Sequence, residues 1–427
     1  MKKLCILAVL LFVACSFLSA AGNLEFKGFL QPQLKVKIND PFAFNDQRDD
    51  LFRLEIVSTL GDKSAFKVVP DILTKVQNNL ISYEYDLREA YVDLYSKICD
   101  VRIGKQLVSW GASKENNAVD VINPSDFRDP SRKKIDRKIG LLAVKGSFYL
   151  PADITLDTVL VPFAGRTIFP EVNTQWSQGN TAILDNTLTP DAKLSNSEIG
   201  LRLSKNISGT DIALTYFNGW EDMPSYSSGD LSAQLALLYD NPTTEVSMAK
   251  FRRTQMIGLD FDGGIGKLGI NTELAMFLTE DTERDDPYLK NPYLQWIIGL
   301  EYDLPLGIIA GLQYSQEFKS GADDAVPDSL TLVSGLGMDL GFFTSQAVGC
   351  GLEKKFGQGD VHSFNLFGFL SIDTENQGYM IAPNLKLSQS DAVSVSMGVN
   401  IFGGTAGSIL SGYSSNSDVY VSVKYSF

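Results

Sequence analysis

The closing stretch Val419-Tyr420-Val421-Ser422-Val423-Lys424-Tyr425-Ser426-Phe427 decides how the rest of the chain is read. Val419, Val421, Val423, Tyr425 and Phe427 are apolar, and Tyr420, Ser422, Lys424 and Ser426 are polar or amphipathic. Strict period-two alternation marks a strand with one oily and one wet face. It runs to the last residue, where a soluble domain would ordinarily fray. A closed membrane barrel has to keep such a strand paired, because lipid offers no partner to an open edge.

The same alternation recurs upstream. Over residues 24–38, Leu24, Phe26, Leu30, Leu34, Val36 and Ile38 share one face, and Glu25, Lys27, Gln31, Gln33, Lys35 and Lys37 the other. That length exceeds what a sandwich strand needs and suits a tilted barrel wall. Pro32 predicts a bulge or local break there. Further strands are expected over 51–60, 64–73, 83–95, 100–110, 141–149, 154–162, 197–204, 210–220, 252–262, 268–277, 293–303, 307–318, 346–356, 362–371, 378–388, 393–402 and 419–427. Tight turns such as Gly61-Asp62-Lys63 and Pro151-Ala152-Asp153 alternate with longer polar connections. Eighteen strands put both ends of the barrel on the short-turn side, and one miscounted hairpin would change the total by two. The predicted fold class is all-β: a single transmembrane antiparallel barrel with short periplasmic turns and long extracellular loops. A secreted β-sandwich or repeat protein also yields alternating strands. It does not explain the short/long rhythm of connections.

The chain opens Met1-Lys2-Lys3, runs apolar to about Leu18 and reaches Ser19-Ala20-Ala21-Gly22. This reads as a signal peptide over 1–21, leaving a barrel over 22–427. Cys15 permits a rival lipoprotein reading. No later stretch holds the roughly 18 apolar residues of a spanning helix. Removing Lys2 and Lys3 with the leader leaves 35 basic against 51 acidic residues, net −16. That balance argues against nucleic acid as a partner. Cys99 and Cys350, far apart in sequence, read as two free thiols at strand ends rather than a disulfide framework.

By parity the wet face carries Arg53, Glu55, Arg102, Gln106, Lys145, Asp157, Glu198, Arg202, Glu273, Glu301, Lys386 and Lys424. In a barrel of this width these residues are expected to line a water-filled lumen. Trp296, Tyr302, Tyr314 and Tyr425 fall on the other face, as interfacial aromatic girdles do. The most distinctive local stretch is Arg102-Ile103-Gly104-Lys105-Gln106, then Trp110-Gly111, then Asp120-Val121-Ile122-Asn123-Pro124-Ser125-Asp126. Gly104 is read as leaving room for a loop against the wall, and Trp110 as pointing inward. The connection over 112–139 is too long for a hairpin turn. It is expected to fold into the lumen as a constriction. Asp120, Asn123 and Asp126 would shape its turns, and Arg128, Arg132, Lys133, Lys134, Arg137 and Lys138 form a dense basic cluster in an acidic protein. Asp120, Asn123, Asp126 and Asp129 recur every third residue, a spacing that serves turn capping or, alternatively, Ca²⁺ ligation. Turn capping is preferred, and no metal or cofactor is assigned.

This stretch resembles a family of bacterial outer-membrane barrels of unassigned function, similar in style to alginate-export and substrate-selective porin barrels. The terminal strand ending in Phe427 likewise resembles their assembly signal. The resemblance implies an outer-membrane location, lipid and the barrel-assembly machinery as partners, and no particular substrate. The residues themselves point to a porin-like channel passing small hydrophilic solutes through a polar lumen. The alternatives are a transporter of hydrophobic compounds, a polysaccharide exporter, or a barrel that only displays its loops. Catalysis is not expected, because the single histidine, His362, sits beside a short turn with no nucleophile in view. Substrate, ion selectivity and oligomeric state are not legible at this level.

Overall fold

The computed structural model describes residues 23–38, 47–77, 80–113, 116–170, 174, 176, 188–225, 250–286, 289–319, 346–372, 377–406 and 408–427. The expected leader lies outside these residues. Eighteen antiparallel strands form one closed sheet. They are β1 (Leu24–Lys37), β2 (Gln47–Thr59), β3 (Ser64–Gln77), β4 (Leu80–Tyr95), β5 (Cys99–Gln106), β6 (Leu141–Leu150), β7 (Ile154–Val161), β8 (Glu198–Ile207) and β9 (Thr210–Trp220). The circuit continues with β10 (Arg253–Ile265), β11 (Leu268–Leu278), β12 (Tyr293–Leu304), β13 (Ile308–Lys319), β14 (Gln346–Phe356), β15 (His362–Ser371), β16 (Gly378–Ser388), β17 (Val393–Gly404) and β18 (Asp418–Ser426). Each strand pairs with its neighbours in sequence, and β18 closes on β1.

Closure runs through the final residue. Leu34 stands opposite Val421 and Phe29 opposite Ser426. Gly28 and Phe427 then exchange backbone hydrogen bonds of 2.9 and 3.0 Å. Gly28 is small for a reason, since a Cβ there would lie 2.8 Å from Cζ of the Phe427 ring. That ring stacks on Phe52 of β2 at 6.3 Å. An open edge in hydrocarbon would leave a row of backbone groups unpaired at several kcal/mol each, and this seam is paired from Gly28 to Lys37 except at Gln31 and Pro32.

Alternation along the strands sorts the two faces. On β18, Val421 keeps 45 % of its surface exposed while its neighbour Ser422 keeps 4 %. Outward Leu30, Leu34, Leu259, Leu312 and Val423 are similarly bare, as a wall facing lipid must be. Outward Trp296 and Tyr314 pack together at 5.2 Å between ring centres.

Three expectations need correction or refinement. Residues 74–77 and 80–82 are strand rather than polar connection: β3 and β4 run on, paired to Gln77 and Leu80. Thr74, Lys75, Gln77 and Ser82 hide that hairpin from a hydrophobicity pattern. Pro32 gives a local break rather than a bulge: the β1–β2 register is unbroken across it, whereas the β1–β18 pairing skips Gln31 and Pro32. The register shift falls instead at Val69/Pro70 against β4, where proline cannot donate to the ladder. Finally β5 ends at Gln106 rather than 110, and the chain turns off the wall there. Cys99 and Cys350 are free thiols, with Cys350 in mid-strand rather than at a strand end.

Candidate functional site

Residues 107–140 leave the top of β5, cross the barrel and return to β6. The first leg is apolar and lies on the inner wall. Val108, Trp110, Ala118, Val119 and Ile122 pack with inward Leu141, Ala143, Val159, Val161, Phe217, Met256, Ala275, Phe277 and Ile297 in one buried cluster. Two wall glycines admit this leg. A Cβ on Gly200 would lie 2.7 Å from the Trp110 ring and 2.8 Å from Ile122, and one on Gly258 would collide with Val119. Gly104 has a different role from the one expected of it, because the space beside it is taken by Ala90 and Tyr91 of β4 rather than by the loop.

Polar anchors fix the far end of the crossing. The Glu273 carboxylate on β11 accepts the backbone N–H groups of Ala112 (2.8 Å), Ser113 (2.7 Å), Ala118 (2.5 Å) and Val119 (3.3 Å). Charge-assisted bonds of this kind are the stronger ones in a dry interior. On β13, Gln313 accepts from the Asn116 backbone at 3.0 Å and donates to its carbonyl at 3.1 Å. Asn123 pins the turn back. Its Oδ1 accepts from the Val108 N–H at 2.7 Å, and its Nδ2 donates to the carbonyls of Gln106 and Ile139 at 3.2 and 2.8 Å.

The second leg is charged and grips the opposite wall. Lys35 of β1 donates to Asp129 at 3.0 Å and to Ser131 at 3.2 Å. Arg53 of β2 makes a two-pronged pair with Asp71 and reaches Asp136 at 3.2 Å. Arg128 pairs with Asp126 at 2.6 Å and with Glu84 of β4 at 3.1 Å. A one-turn helix, α1 (Lys134–Arg137), presents its backbone carbonyls at Ile135 and Asp136 to Arg88. Burial pushes the Asp129 carboxyl up, but the Lys35 ammonium, the Ser131 hydroxyl and the more distant Arg132 outweigh it and hold it at about 2.

The expected lumen residues divide into three groups. Arg53, Lys386 and Lys424 border the open cavity, together with Asp126, Arg128, Arg132, Lys133, Lys134 and Arg137 of the loop. Glu55, Arg102, Lys145 and Arg202 pair along the inner wall with Lys67, Asp93, Asp157 and Asp260, while Glu301 sits partly buried on β12. Gln106, Glu198 and Glu273 are at most 5 % exposed and do not face open space. Gln106 holds the Ala143 carbonyl at 2.9 Å, and Glu198 accepts from the Trp220 backbone. Within the loop, Lys138 is buried against Asp120, and Arg137 lies 4 % exposed with its guanidinium 5.2 Å over Phe127. Asp120, Asn123, Asp126 and Asp129 each serve a different partner, so their regular spacing does not converge on one point. His362 accepts the Ser388 backbone N–H at 3.2 Å.

Sequence reasoning missed Lys35, Arg88 and Asp129 as loop anchors. Arg88 is the residue added at the β3–β4 irregularity, a signal readable only once Pro70 is placed inside a strand.

A cavity of about 980 Å³ remains between the charged leg and the wall from β1 to β4 and β13 to β18. Ten basic and five acidic side chains border it. The fold is a closed 18-stranded β-barrel of the kind seen in the bacterial outer membrane. Residues 39–322 match the family described as "Protein of unknown function (DUF1302)", and the chain belongs to that family. The outer-membrane protein opdK from Pseudomonas aeruginosa shares the fold with a TM-score of 0.54 at 10 % identity, over 95 % of this chain and 99 % of that one. OccAB2 from Acinetobacter baumannii does so at 0.51 and 8 % identity, over 96 % and 99 %. No curated protein matches the chain. The porin half of the resemblance is thus supported, and the alginate-export half is not.

Proposed function

We propose that this protein is a passive outer-membrane channel for small hydrophilic solutes, narrowed by the loop over 107–140 and preferring anions. The observation that carries this reading is the charge of the cavity wall: ten basic side chains against five acidic in a chain of net −14. All five acids are engaged: Asp49 and Asp129 with Lys35, Glu84 and Asp126 with Arg128, Asp136 with Arg53. Among the described residues no carboxylate pairs with Lys133, Lys386 or Lys424. Unneutralised charge in a low-dielectric passage concentrates the opposite ion.

In this reading the short turns face the periplasm, the leader directs export, and the last strand is handed to the barrel-assembly machinery. The charged and amide-rich lumen supports hydrophilic solutes over the purely hydrophobic cargo considered as an alternative. Purified protein in a planar bilayer under a KCl gradient supplies the test. Replacing Arg132, Lys133 and Lys134 with Gln is expected to lower the anion-to-cation permeability ratio about twofold or more. The shift should shrink near 1 M salt, where the Debye length falls to about 3 Å. Conductance with no anion preference in the parent protein would sink the reading.

A further inference from the structure

The inner wall of β15 and β16 is not uniformly polar. Reading inward positions from the long-loop end, Phe369 stands opposite Met380 and Phe367 opposite Ala382. Asn365 then faces Asn384, and Ser363 faces Lys386. All eight border the cavity. Phe367, Phe369 and Ala382 are partly exposed and lie on a buried support that includes Phe402, Leu410 and Tyr413. Such backing holds the two rings in place with a face left open to the lumen.

At the other end of the track, Lys424 lies 4.0 Å over the Phe29 ring. Lys386, Arg53 and Lys133 stand within its repulsive reach. Arg53 is already paired with Asp71 and Asp136, whereas Lys133, Lys386 and Lys424 form no ion pair among the described residues, and cations so placed gain by sharing an anion. From the Phe367 level to the Lys386 level is four residues, roughly 13 Å along the strand. A wholly aqueous ion path has no use for a supported aromatic strip, because exposed rings offer water nothing.

From this juxtaposition we infer that the cavity binds amphiphilic monoanions, with the acid group at Lys386, Lys424 and Lys133 and an apolar body along Phe367 and Phe369. The inference deepens the channel reading and rests on it. It specifies an elongated organic acid with a flat or chain-like body of about 10 Å, matched to the rise between the two levels less the lysine reach. Compact acids can occupy only the cationic end.

The test uses single-channel recording of the full protein in KCl, with 6-phenylhexanoate, acetate and 6-phenylhexanol added in turn as probes. 6-Phenylhexanoate is expected to interrupt the chloride current with an apparent affinity about tenfold or more above that of acetate, from burial of its ring. The neutral alcohol should interrupt it far less. In Phe367→Ser/Phe369→Ser protein, the ratio of the 6-phenylhexanoate and acetate affinities, read within the variant, should fall toward one. In Lys386→Gln/Lys424→Gln protein, block by 6-phenylhexanoate should be lost. An anion-preferring channel that 6-phenylhexanoate and acetate block alike overturns the inference and leaves the channel reading standing. The same holds if the serine variant keeps the parent ratio. A parent protein with no anion preference overturns both.

Discussion

At the residue scale, Glu273 is the side chain on which the crossing depends. It draws four backbone N–H groups of the loop onto the far wall, and its own surface is fully covered. Glu273→Ala would take the acceptor from the N–H groups of Ala112, Ser113 and Ala118, a loss of about 1–3 kcal/mol for each one that is buried, while the Val119 N–H keeps Asn117. The expected result is a loop that detaches: larger and noisier open-channel current, and new protease cleavage near Ala118, with the barrel itself intact. Current and cleavage like the parent's would show that the apolar packing alone holds the loop. Asp129 gives a second prediction. Its carboxyl falls from an ordinary 3.8 to about 2, so its pairing with Lys35 contributes fully above 3.8. That contribution is lost only as the pH drops through about 2. Open-channel noise should therefore stay level from pH 7 to pH 4 in the parent protein. In Asp129→Asn, noise should be raised throughout, because Lys35 is then buried with one anionic partner fewer.

At the element scale, most of the wall was legible because each strand separates lipid from water. That boundary imposes period two, and Leu30/Gln31 or Val421/Ser422 report it directly. The pattern fails where a strand leaves that boundary. Upper β3 and β4 carry Thr74, Lys75, Gln77 and Ser82, which read as loop and are strand. Leu107, Val108 and Trp110 continue an apolar rhythm, yet they belong to the crossing leg, where burial against β6 to β12 substitutes for lipid. The same ambiguity misplaced Gln106 and Glu273. Parity gave their direction correctly and could not show that a loop 150 residues away in sequence would cover the latter. The basic run over 128–138 was visible, but its partition into cavity-facing Arg132 and Lys133 and buried Lys138 depends on one turn of helix and on Asp120. Strand β18 supplies the prediction at this level. Removing Tyr425 to Phe427 deletes the pairs to Gly28, Phe29 and Leu30 and the ring that stacks on Phe52. Outer-membrane fractions should then hold little folded protein, and normal levels there would show that closure does not need these residues.

At the scale of the whole molecule, every strand has two neighbours and no edge is free. Unfolding one strand therefore opens two seams at once, and the barrier is expected to be high. Unboiled samples in mild SDS should migrate as a compact band with β-type circular dichroism, and boiling should shift the band and abolish that spectrum. A helical spectrum, or identical mobility with and without boiling, would contradict the closed sheet.

The loop that leaves β5, holds Glu273 and Gln313 on one side and Lys35, Arg53 and Arg88 on the other is a spoke as well as a lining. A wide hoop of strands is stiff along its length and soft across it, free to ovalise under lateral pressure. A member tied across the bore at both ends fixes that cross-section from within. The caliper of the passage is then a property written into the chain, and the thickness or tension of the surrounding bilayer has little hold over it.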